Sequence, residues 1–262
     1  MPRARRRDAM TDPYARFAPF YDAWSAQMTE DIDFYVRRAL ETSGPIVELG
    51  AGTGRVSIPI AEAGRDVIAV DASSAMIELG RRKAAAAGVE ERITWVHSPM
   101  QTFVAERPVE LVIIPFRSFI HLTTVDEQLE TLYNIHRSLM SNGRLALNLF
   151  IPDPVVMARR HGKGEEQGEF IDQYGRRCVL VGEPTYELTT QLMHLRAICE
   201  VRENGTAVEA HSADLEACLI YPREMEHLLA RAGFEIEALY GWFDERPLTE
   251  ESREMIWVAR KP

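Results

Sequence analysis

The sequence predicts an α/β protein with a doubly wound, mostly parallel sheet, and three observations lead to this prediction. From residue 44 to residue 150, short runs of valine, isoleucine and leucine alternate with segments whose apolar residues recur at helical spacing. Continuous apolar runs of this kind are typical of parallel strands that are buried on both faces. The helical segments are followed by Gly88 and Asn142-Gly143, which are residues that commonly end helices.

The expected core elements follow one another along this region. The predicted strands are Ile46–Leu49, Val67–Val70, Ile93–His97, Glu110–Pro115 and Arg144–Phe150. The predicted helices are Val56–Ala63, Ser74–Ala87 and Val125–Met140. Pro59 lies close to the start of the first helix, where a missing amide costs little, so we expect a slight kink there and no break.

The segment from 152 to 220 has a different pattern. Its glycine-rich stretch 162–168 predicts a mobile loop, and Asn204-Gly205 is a strong hairpin signal. The strands predicted in this segment are Arg177–Gly182, Leu192–Glu203 and Thr206–Leu219. We interpret the segment as an inserted antiparallel β lid. The α/β pattern then returns with a helix at Pro222–Ala232 and strands at Glu235–Trp242 and Met255–Arg260.

These patterns divide the chain into three parts. Residues 1–43 form an N-terminal arm and cap helices, 44–151 together with 221–262 form the core, and 152–220 form a β-rich lid or a dimerisation segment. The length of 262 residues fits one large domain with an insertion, or two small domains.

The composition, 46% hydrophobic and 27% charged, is typical of a soluble globular protein. A formal net charge of −10 opposes nucleic-acid binding, although the N-terminus begins with the basic run 3–7. No apolar run approaches the roughly 20 residues that span a membrane, and no signal-peptide core follows the basic run. The three cysteines lack Cys-x-x-Cys spacing, which fits reduced thiols in a cytoplasmic protein. The seven histidines show no ligand spacing, so we expect no metal.

The glycine loop after the first strand carries the main functional signal. Gly50, Gly52 and Gly54 occupy alternate positions, which lets the backbone turn sharply and approach a ligand closely. The amides that begin the next helix then face that ligand. Glu48 ends the strand, and its carboxylate would repel a pyrophosphate but suits a cationic ligand or one with amino and hydroxyl donors. The third glycine of a dinucleotide fingerprint is also missing, because Arg55 stands there.

A second signal follows the second strand. Asp71 closes that strand about 20 residues past the glycines, where a carboxylate can accept hydrogen bonds from ribose hydroxyls. The chain continues through Ser73 and Ser74, either of which suits a helix N-cap, to Met76. Alone, Asp71 would be an ordinary strand-end residue and Met76 an ordinary core residue. Together, behind the glycine loop, they favour a cofactor site.

These segments resemble the first two motifs of the class I S-adenosylmethionine-dependent methyltransferases. In this family the acidic residue and the glycine loop hold the amino-acid half of the cofactor, the aspartate binds both ribose hydroxyls, and the methionine packs on the adenine. The resemblance implies a Rossmann-like, seven-stranded sheet with an antiparallel last strand. It also implies S-adenosylmethionine as the cofactor and S-adenosylhomocysteine as the product. The resemblance covers residues 45–150 and 221–262 well. It covers the N-terminal arm and the insert only loosely.

The resemblance further assigns a set of cofactor-binding residues. Ser98 stands where the family often has an aspartate that holds the adenine amino group, and a serine is a weaker acceptor. The loop after the fourth strand should face the sulfonium and the methyl acceptor, because ligands gather beyond the carboxyl ends of the strands. The expected cofactor-binding residues are Tyr14, Glu48, Gly50, Ala51, Gly52, Arg55, Asp71, Ala72, Met76, Ser98, Pro99, Met100, Pro115 and Phe116.

The loop after the fourth strand also holds two catalytic candidates. His121 could act as a general base, because the ordinary pKa of histidine lies near physiological pH, or it could cap the helix that begins near Thr124. Arg117 could hold a carboxylate or carbonyl of the acceptor, or pair with a surface acid.

An aromatic group near the N-terminus supplies the third catalytic candidate. Packing across the mouth of the sheet would explain most of its members, which are Tyr14, Phe17, Phe20, Tyr21 and Trp24. In related enzymes such a segment covers the cofactor, with a tyrosine near the methyl group. We expect Tyr14 or Tyr21 to fill that place, Tyr14 at the cofactor and Tyr21 as a catalytic residue.

The leading interpretation is a cytoplasmic methyltransferase that acts on a nitrogen, carbon or oxygen of a small molecule, in specialised metabolism. A homodimer formed through the insert, without nucleic-acid or membrane partners, is compatible with it. Two alternatives stay open: a methyltransferase of protein or nucleic acid, and a non-catalytic regulator that binds the same cofactor. A nicotinamide oxidoreductase fits poorly because of Glu48 and Arg55.

Overall fold

A computed structural model describes Asp12, Tyr14 and residues 18–262, and it confirms the α/β fold class. The described strands are β1 Ile46–Leu49, β2 Val67–Asp71, β3 Ile93–His97, β4 Val109–Ile114, β5 Leu139–Phe150, β6 Glu165–Ile171, β7 Arg177–Glu187, β8 Leu192–Glu203, β9 Thr206–Cys218, β10 Glu235–Tyr240 and β11 Glu254–Arg260. The described helices are α1 Ala18–Ser25, α2 Ile32–Leu40, α3 Ser57–Glu62, α4 Ser74–Ala86, α5 Val125–Ser138, α6 Pro154–Arg160 and α7 Pro222–Arg231. The basic run 3–7 and Phe17 lie outside the described residues.

The main sheet has seven strands in the order β10-β11-β5-β4-β1-β2-β3. Strands β1 to β5 run parallel, and β11 runs antiparallel to β5 and β10, as predicted. The strand order reverses between β1 and β4. The carboxyl ends of β1, β2 and β4 therefore border one crevice, which is where open α/β sheets bind ligands.

The central strand β1 is buried along its whole length, because helices cover both faces of the sheet. Ile46 packs in a cluster with Phe34 of α2, whereas Val47 packs in a cluster with Leu132 of α5. Rigid packing on both sides fixes the end of β1, and with it the start of the glycine loop.

The insert folds as a second sheet, with four antiparallel strands in the order β6-β7-β8-β9. Asn204 and Gly205 join β8 to β9 with φ values of 51° and 82°, which is the left-handed pair that the hairpin signal requires. Helix α1 packs on this sheet through Phe20, in a cluster with Phe170 and Leu180. Helix α1 and the sheet of the insert are thus neighbours.

Several predictions of secondary structure need correction. The stretch 162–168 is not a loop throughout, because its second half belongs to β6, which pairs with β7 and carries the ion pair between Glu166 and Arg202 at 2.7 Å. Helix α5 ends at Ser138 and not at Met140, because Leu139 already pairs with Val109 in the sheet. Helix α6 was not predicted at all.

The turn signal Asn142-Gly143 lies inside β5, and Asn142 has a left-handed φ of 65° there. Its amide donates to the carbonyl of Lys261 at 2.8 Å, and the Lys261 amide donates to the carbonyl of Gly143 at 2.9 Å. The signal therefore marks an irregularity within the strand that pairs with the C-terminal residues. It does not mark a helix end.

Within the part of the chain that the structure describes, no helix is long and apolar enough to cross a membrane. The same residues contain no group of three or more histidine, cysteine, aspartate or glutamate side chains placed to hold a metal ion.

Candidate functional site

The glycine loop lies at the carboxyl end of β1. Gly50, Gly52 and Gly54 all have left-handed φ values, 74°, 56° and 81°, which other residues rarely adopt. A Cβ on Gly50 would lie 2.7 Å from the Ser118 Cβ, so the loop after β4 itself fills the space beside Gly50. A Cβ on Gly52 would meet no atom within 4 Å. Among the described residues, the space beside Gly52 is therefore open to a ligand.

Asp71 ends β2 beside this open space. Its Oδ2 accepts the Gly52 amide at 2.7 Å, and its Oδ1 accepts the Ser73 amide at 2.8 Å. Each carboxylate oxygen has a second lone pair, so both can still accept a hydrogen bond from a diol. Burial raises the pKa of Asp71.

Glu48 lies under the glycine loop with only 2% of its surface exposed. Its carboxyl group accepts a hydrogen bond from the hydroxyl of Ser57, at the start of α3. Burial raises the pKa of Glu48 to about 8, and the Ser57 hydrogen bond and the Arg55 charge offset part of this effect. A cationic ligand beside Glu48 would therefore meet a carboxyl group that can ionise to pair with it.

The guanidinium of Arg55 is held by contacts within the protein. It donates to the Asp31 carboxylate at 2.7 and 2.5 Å and to the Met28 carbonyl at 2.8 Å. The guanidinium also lies over the Phe116 ring, 4.4 Å from its centroid. Arg55 thus ties the N-terminal segment to the loop after β4.

The predicted adenine neighbours lie along the ends of β2 and β3. The Ser98 hydroxyl donates a hydrogen bond to the carbonyl of Pro99 at 3.1 Å. The Ser98 amide donates to the carbonyl of Asp71 at 2.9 Å. Met100 approaches the glycine loop, with its Cε 3.5 Å from where a Cβ of Gly50 would be. Met76 is buried in α4, where its amide is capped by Ser73. Ala72 is exposed, whereas Ala51 and Pro115 are buried.

The loop after β4 begins with two consecutive left-handed residues, Phe116 with a φ of 54° and Arg117 with 64°. Such conformations cost energy and persist where the surrounding contacts hold them. Here the Phe116 ring packs edge-on against Trp24 and Tyr21, at 5.9 and 6.5 Å between centroids. Tyr21, Trp24 and Phe116 together form an aromatic wall at the mouth of the crevice.

His121 joins three parts of the molecule. Its Nε2 lies 2.9 Å from the Tyr14 hydroxyl, and its Nδ1 lies 3.0 Å from the backbone carbonyl of Glu216 in β9. A carbonyl only accepts, so Nδ1 carries a proton, and in the neutral ring Nε2 accepts from the Tyr14 hydroxyl. Burial raises the pKa of Tyr14 well above its ordinary value. The cap of α5 is Thr124, so His121 does not fill the capping role that the sequence left open.

Arg117 pairs with Glu254 at the start of β11, where 49% of the Arg117 side chain and 3% of the Glu254 side chain are exposed. This acid is buried, whereas the sequence suggested a surface acid. Asn148 of β5 bridges the group: its Nδ2 donates to Glu254 at 3.0 Å and its Oδ1 accepts from the Tyr35 hydroxyl at 3.0 Å.

Sequence reasoning missed several residues of the site. A polar residue in the apolar run of β5 marks Asn148, and this signal was available. Ser57, Glu254 and Asp12 carry no comparable signal, because each meets its partner only through the fold. The Asp12 carboxylate accepts from the Ser73 hydroxyl at 2.5 Å, which places the arm beside Asp71.

Comparison with known proteins agrees with this geometry. A family described as a methyltransferase domain matches residues 46–143, from β1 into β5. The matched residues contain the glycine loop and Asp71, so this part of the chain is similar to a methyltransferase domain. A curated relative is the cypemycin N-terminal methyltransferase of a Streptomyces species, 27% identical over 217 residues that cover 82% of each chain.

Solved structures share the fold of this methyltransferase over nearly its whole length. The CcbJ methyltransferase of Streptomyces caelestis has a TM-score of 0.80 and 23% identity, and the match covers 96% of this chain and 99% of that one. CalS10 of Micromonospora echinaspora, an amino pentose methyltransferase solved with bound S-adenosylmethionine, has a TM-score of 0.67 and 18% identity. The match to CalS10 covers 98% of this chain and 100% of that one.

The described residues fit S-adenosylmethionine, the methyl donor that is bound in the structure of CalS10. The open space beside Gly52 admits it, the two Asp71 oxygens have lone pairs left for a ribose diol, and Glu48 can pair with its ammonium group. The enzyme is therefore a methyltransferase by its sequence, its fold and the chemistry of this crevice.

Proposed function

We propose that this enzyme transfers a methyl group to the nitrogen of a small-molecule amine in specialised metabolism. The observation that carries the proposal is the hydrogen bond between Tyr14 and His121 at 2.9 Å, at the place where the arm, the crevice and the lid meet. This pair offers a neutral proton acceptor next to the predicted acceptor space. Proposed roles accompany it: Tyr21 shapes the pocket, Arg117 positions the acceptor, and the remaining predicted residues hold the cofactor.

Methyl transfer requires the protein to align the amine with the methyl donor and to provide a proton acceptor. S-adenosylmethionine supplies the methyl group on a sulfonium, and the amine displaces it in line. An amine attacks only as the free base, and it must lose a proton before or after the transfer. The Tyr14 hydroxyl can take this proton while its own proton passes to Nε2 of His121, whose Nδ1 stays bonded to the Glu216 carbonyl.

The lid supports a small acceptor. Strand β9 lies against the loop that holds His121, and α1 packs on the inner face of the lid sheet. We propose that the insert 152–220 encloses the acceptor, and that the core consists of 44–151 with 221–262. The name of one similar protein, an N-terminal methyltransferase, supports a nitrogen acceptor, and that of another, an amino pentose methyltransferase, supports a small amine as the substrate.

The test is a panel of small amines, each matched with the compound that has a hydroxyl in place of the amino group. S-adenosylmethionine with an isotope-labelled methyl group reports transfer to each member. We expect label on amines, such as amino sugars and peptide N-termini, and none on their hydroxyl partners.

Two results would contradict the proposal. Label on the hydroxyl partners alone would make the enzyme an O-methyltransferase. Label on unfractionated RNA or folded proteins, with none on any small amine, would favour a macromolecular acceptor.

A further inference from the structure

Arg117 and Glu254 form an unusual ion pair at the mouth of the crevice. Arg117 Nε donates to Glu254 Oε1 at 2.8 Å, and Nη2 donates to the same oxygen. The guanidinium is half exposed, whereas the carboxylate is buried. A buried carboxylate needs a cation and hydrogen bonds to stay ionised, so this pair is a fixed feature of the fold.

The Glu254 carboxylate also accepts a hydrogen bond from a buried side chain. Its Oε2 accepts from Asn148 Nδ2 at 3.0 Å, and the Asn148 Oδ1 accepts from the Tyr35 hydroxyl at 3.0 Å. Asn148 and Tyr35 are both buried. Glu254 therefore cannot turn away when a ligand arrives, and Arg117 keeps its partner.

This pairing changes what Arg117 can recognise. A guanidinium has five N–H donors, and no described residue accepts a hydrogen bond from its Nη1. Donors thus remain on the half-exposed guanidinium, but the charge behind them is already neutralised by Glu254. An anion beside Arg117 would gain hydrogen bonds but no net electrostatic attraction. It would still lose its hydration.

The neighbours of Arg117 place it at the mouth of the crevice. Arg117 stands between Phe116, in the aromatic wall, and Ser118, against Gly50. Its guanidinium lies 5.7 Å from the centroid of Phe150, the last residue of β5. The ends of β4 and β5 thus frame it at the crevice.

We infer that Arg117 is a specificity residue that positions the acceptor through a neutral oxygen, such as a hydroxyl or an amide carbonyl. Glu254 is the positioning residue that makes this choice, because it cancels the charge that would otherwise attract carboxylates and phosphates. The inference rests on the proposed function, since it describes the acceptor of the same reaction.

The first test needs no acceptor. Inorganic phosphate is titrated by calorimetry into the complex with S-adenosylhomocysteine, using wild type, E254Q, R117Q/E254Q and the control E237Q. Glu237 pairs with Arg144 at 2.8 Å on the far side of the sheet, so E237Q makes the same change in a remote ion pair. Thermal unfolding and the affinity for S-adenosylhomocysteine show that each variant is folded.

Phosphate should bind E254Q at least about tenfold more tightly than wild type, because the substitution uncovers the Arg117 charge. The double variant and E237Q should behave like wild type. Equal phosphate binding by wild type and E254Q would overturn the inference, and so would a gain that persists in the double variant.

The second test uses turnover of a matched pair: an amino sugar with a hydroxymethyl group, and the amino uronic acid in which that group is a carboxylate. Wild type should favour the hydroxymethyl compound through a lower KM, and E254Q should shift the KM ratio toward the carboxylate by about tenfold with little change in kcat. A wild-type preference for the uronic acid would overturn the inference. If neither compound nor any other amine is methylated while the phosphate result holds, the proposed function fails and the charge assignment of Arg117 stands.

Discussion

At the scale of single residues, we expect cofactor affinity to depend most directly on Asp71. Each of its oxygens already accepts one backbone amide, and each has a second lone pair that can accept from a ribose hydroxyl. D71N turns one acceptor into a donor and removes the charge. We expect affinity for S-adenosylhomocysteine to fall by about 1.5–3 kcal/mol for each hydrogen bond lost, measured by calorimetry.

D66N is the matched control, because Asp66 directly precedes β2 and pairs with Arg92 at 3.1 Å on the exposed surface, at the other end of the strand. It should bind the product like wild type. An unchanged dissociation constant in D71N would show that Asp71 only organises the loop.

Because Glu48 is buried, we expect the free energy of unfolding to depend on pH. Burial raises its pKa from 4.5 to about 8 in the folded protein, so between these values the folded state holds a proton that the unfolded state has lost. Stability without ligand should therefore fall as pH rises through this window, by up to about 1.4 kcal/mol per pH unit from this group. Urea unfolding of wild type and E48Q at about pH 5.5 and about pH 7.5 measures the slope.

E48Q should lose this part of the slope, because its amide does not titrate. E62Q, at the exposed end of the neighbouring helix α3, should keep it. If E48Q has the same pH dependence as wild type, Glu48 is ionised in the folded protein.

Glu48, the glycines and Asp71 could be recognised from the sequence alone, because they follow two strands at a spacing that can be counted along the chain. It could not show that Arg55 pairs with Asp31, nor that Arg117 pairs with buried Glu254, since those partners meet only when distant strands and helices pack. Whether each predicted residue touches the cofactor stays a prediction.

At the scale of elements, the contact between α4 and β3 sets the position of the helix that follows Asp71. A Cβ on Gly80 of α4 would lie 2.3 Å from the ring of Trp95 in β3. G80A should therefore destabilise the protein by about 1–3 kcal/mol through overpacking, although alanine is the better helix former. Chemical unfolding measures the difference.

The control is the same substitution in a W95A background. There the ring is absent, so G80A should cost little or should stabilise, and the two changes should show a coupling energy. Additive effects of the two substitutions would mean that the indole does not exclude a side chain at position 80.

Element prediction succeeded where a repeating pattern decided the structure, and the limits of β3 and β8 were predicted to the residue. It failed where tertiary pairing outweighed local composition. Glycine-rich 162–168 suggested a loop, yet β7 offers a partner strand and Arg202 an ion pair. The turn residues Asn142-Gly143 suggested a helix end, yet the C-terminal residues pair with them inside β5.

At the scale of the whole molecule, the methyltransferase core, the N-terminal arm and the lid meet at His121. Tyr14 comes from the arm, His121 from the loop after β4, and the Glu216 carbonyl from the lid. The proposed proton acceptor at this junction is complete only when the three parts are together. In the proposed mechanism, closing the insert over the acceptor would therefore also complete the proton acceptor.

The most direct test is single-turnover methylation of the best amine acceptor at saturating cofactor, comparing wild type, H121A, Y14F and the control H227A. His227 is exposed on α7, away from the crevice. H121A should lower the rate by roughly 10²–10⁴-fold, with cofactor affinity nearly unchanged, because it removes the final proton acceptor.

Y14F should lose most of the same rate, and H227A none of it. Wild-type rates in H121A would contradict the account, and would leave alignment of the acceptor as the source of catalysis.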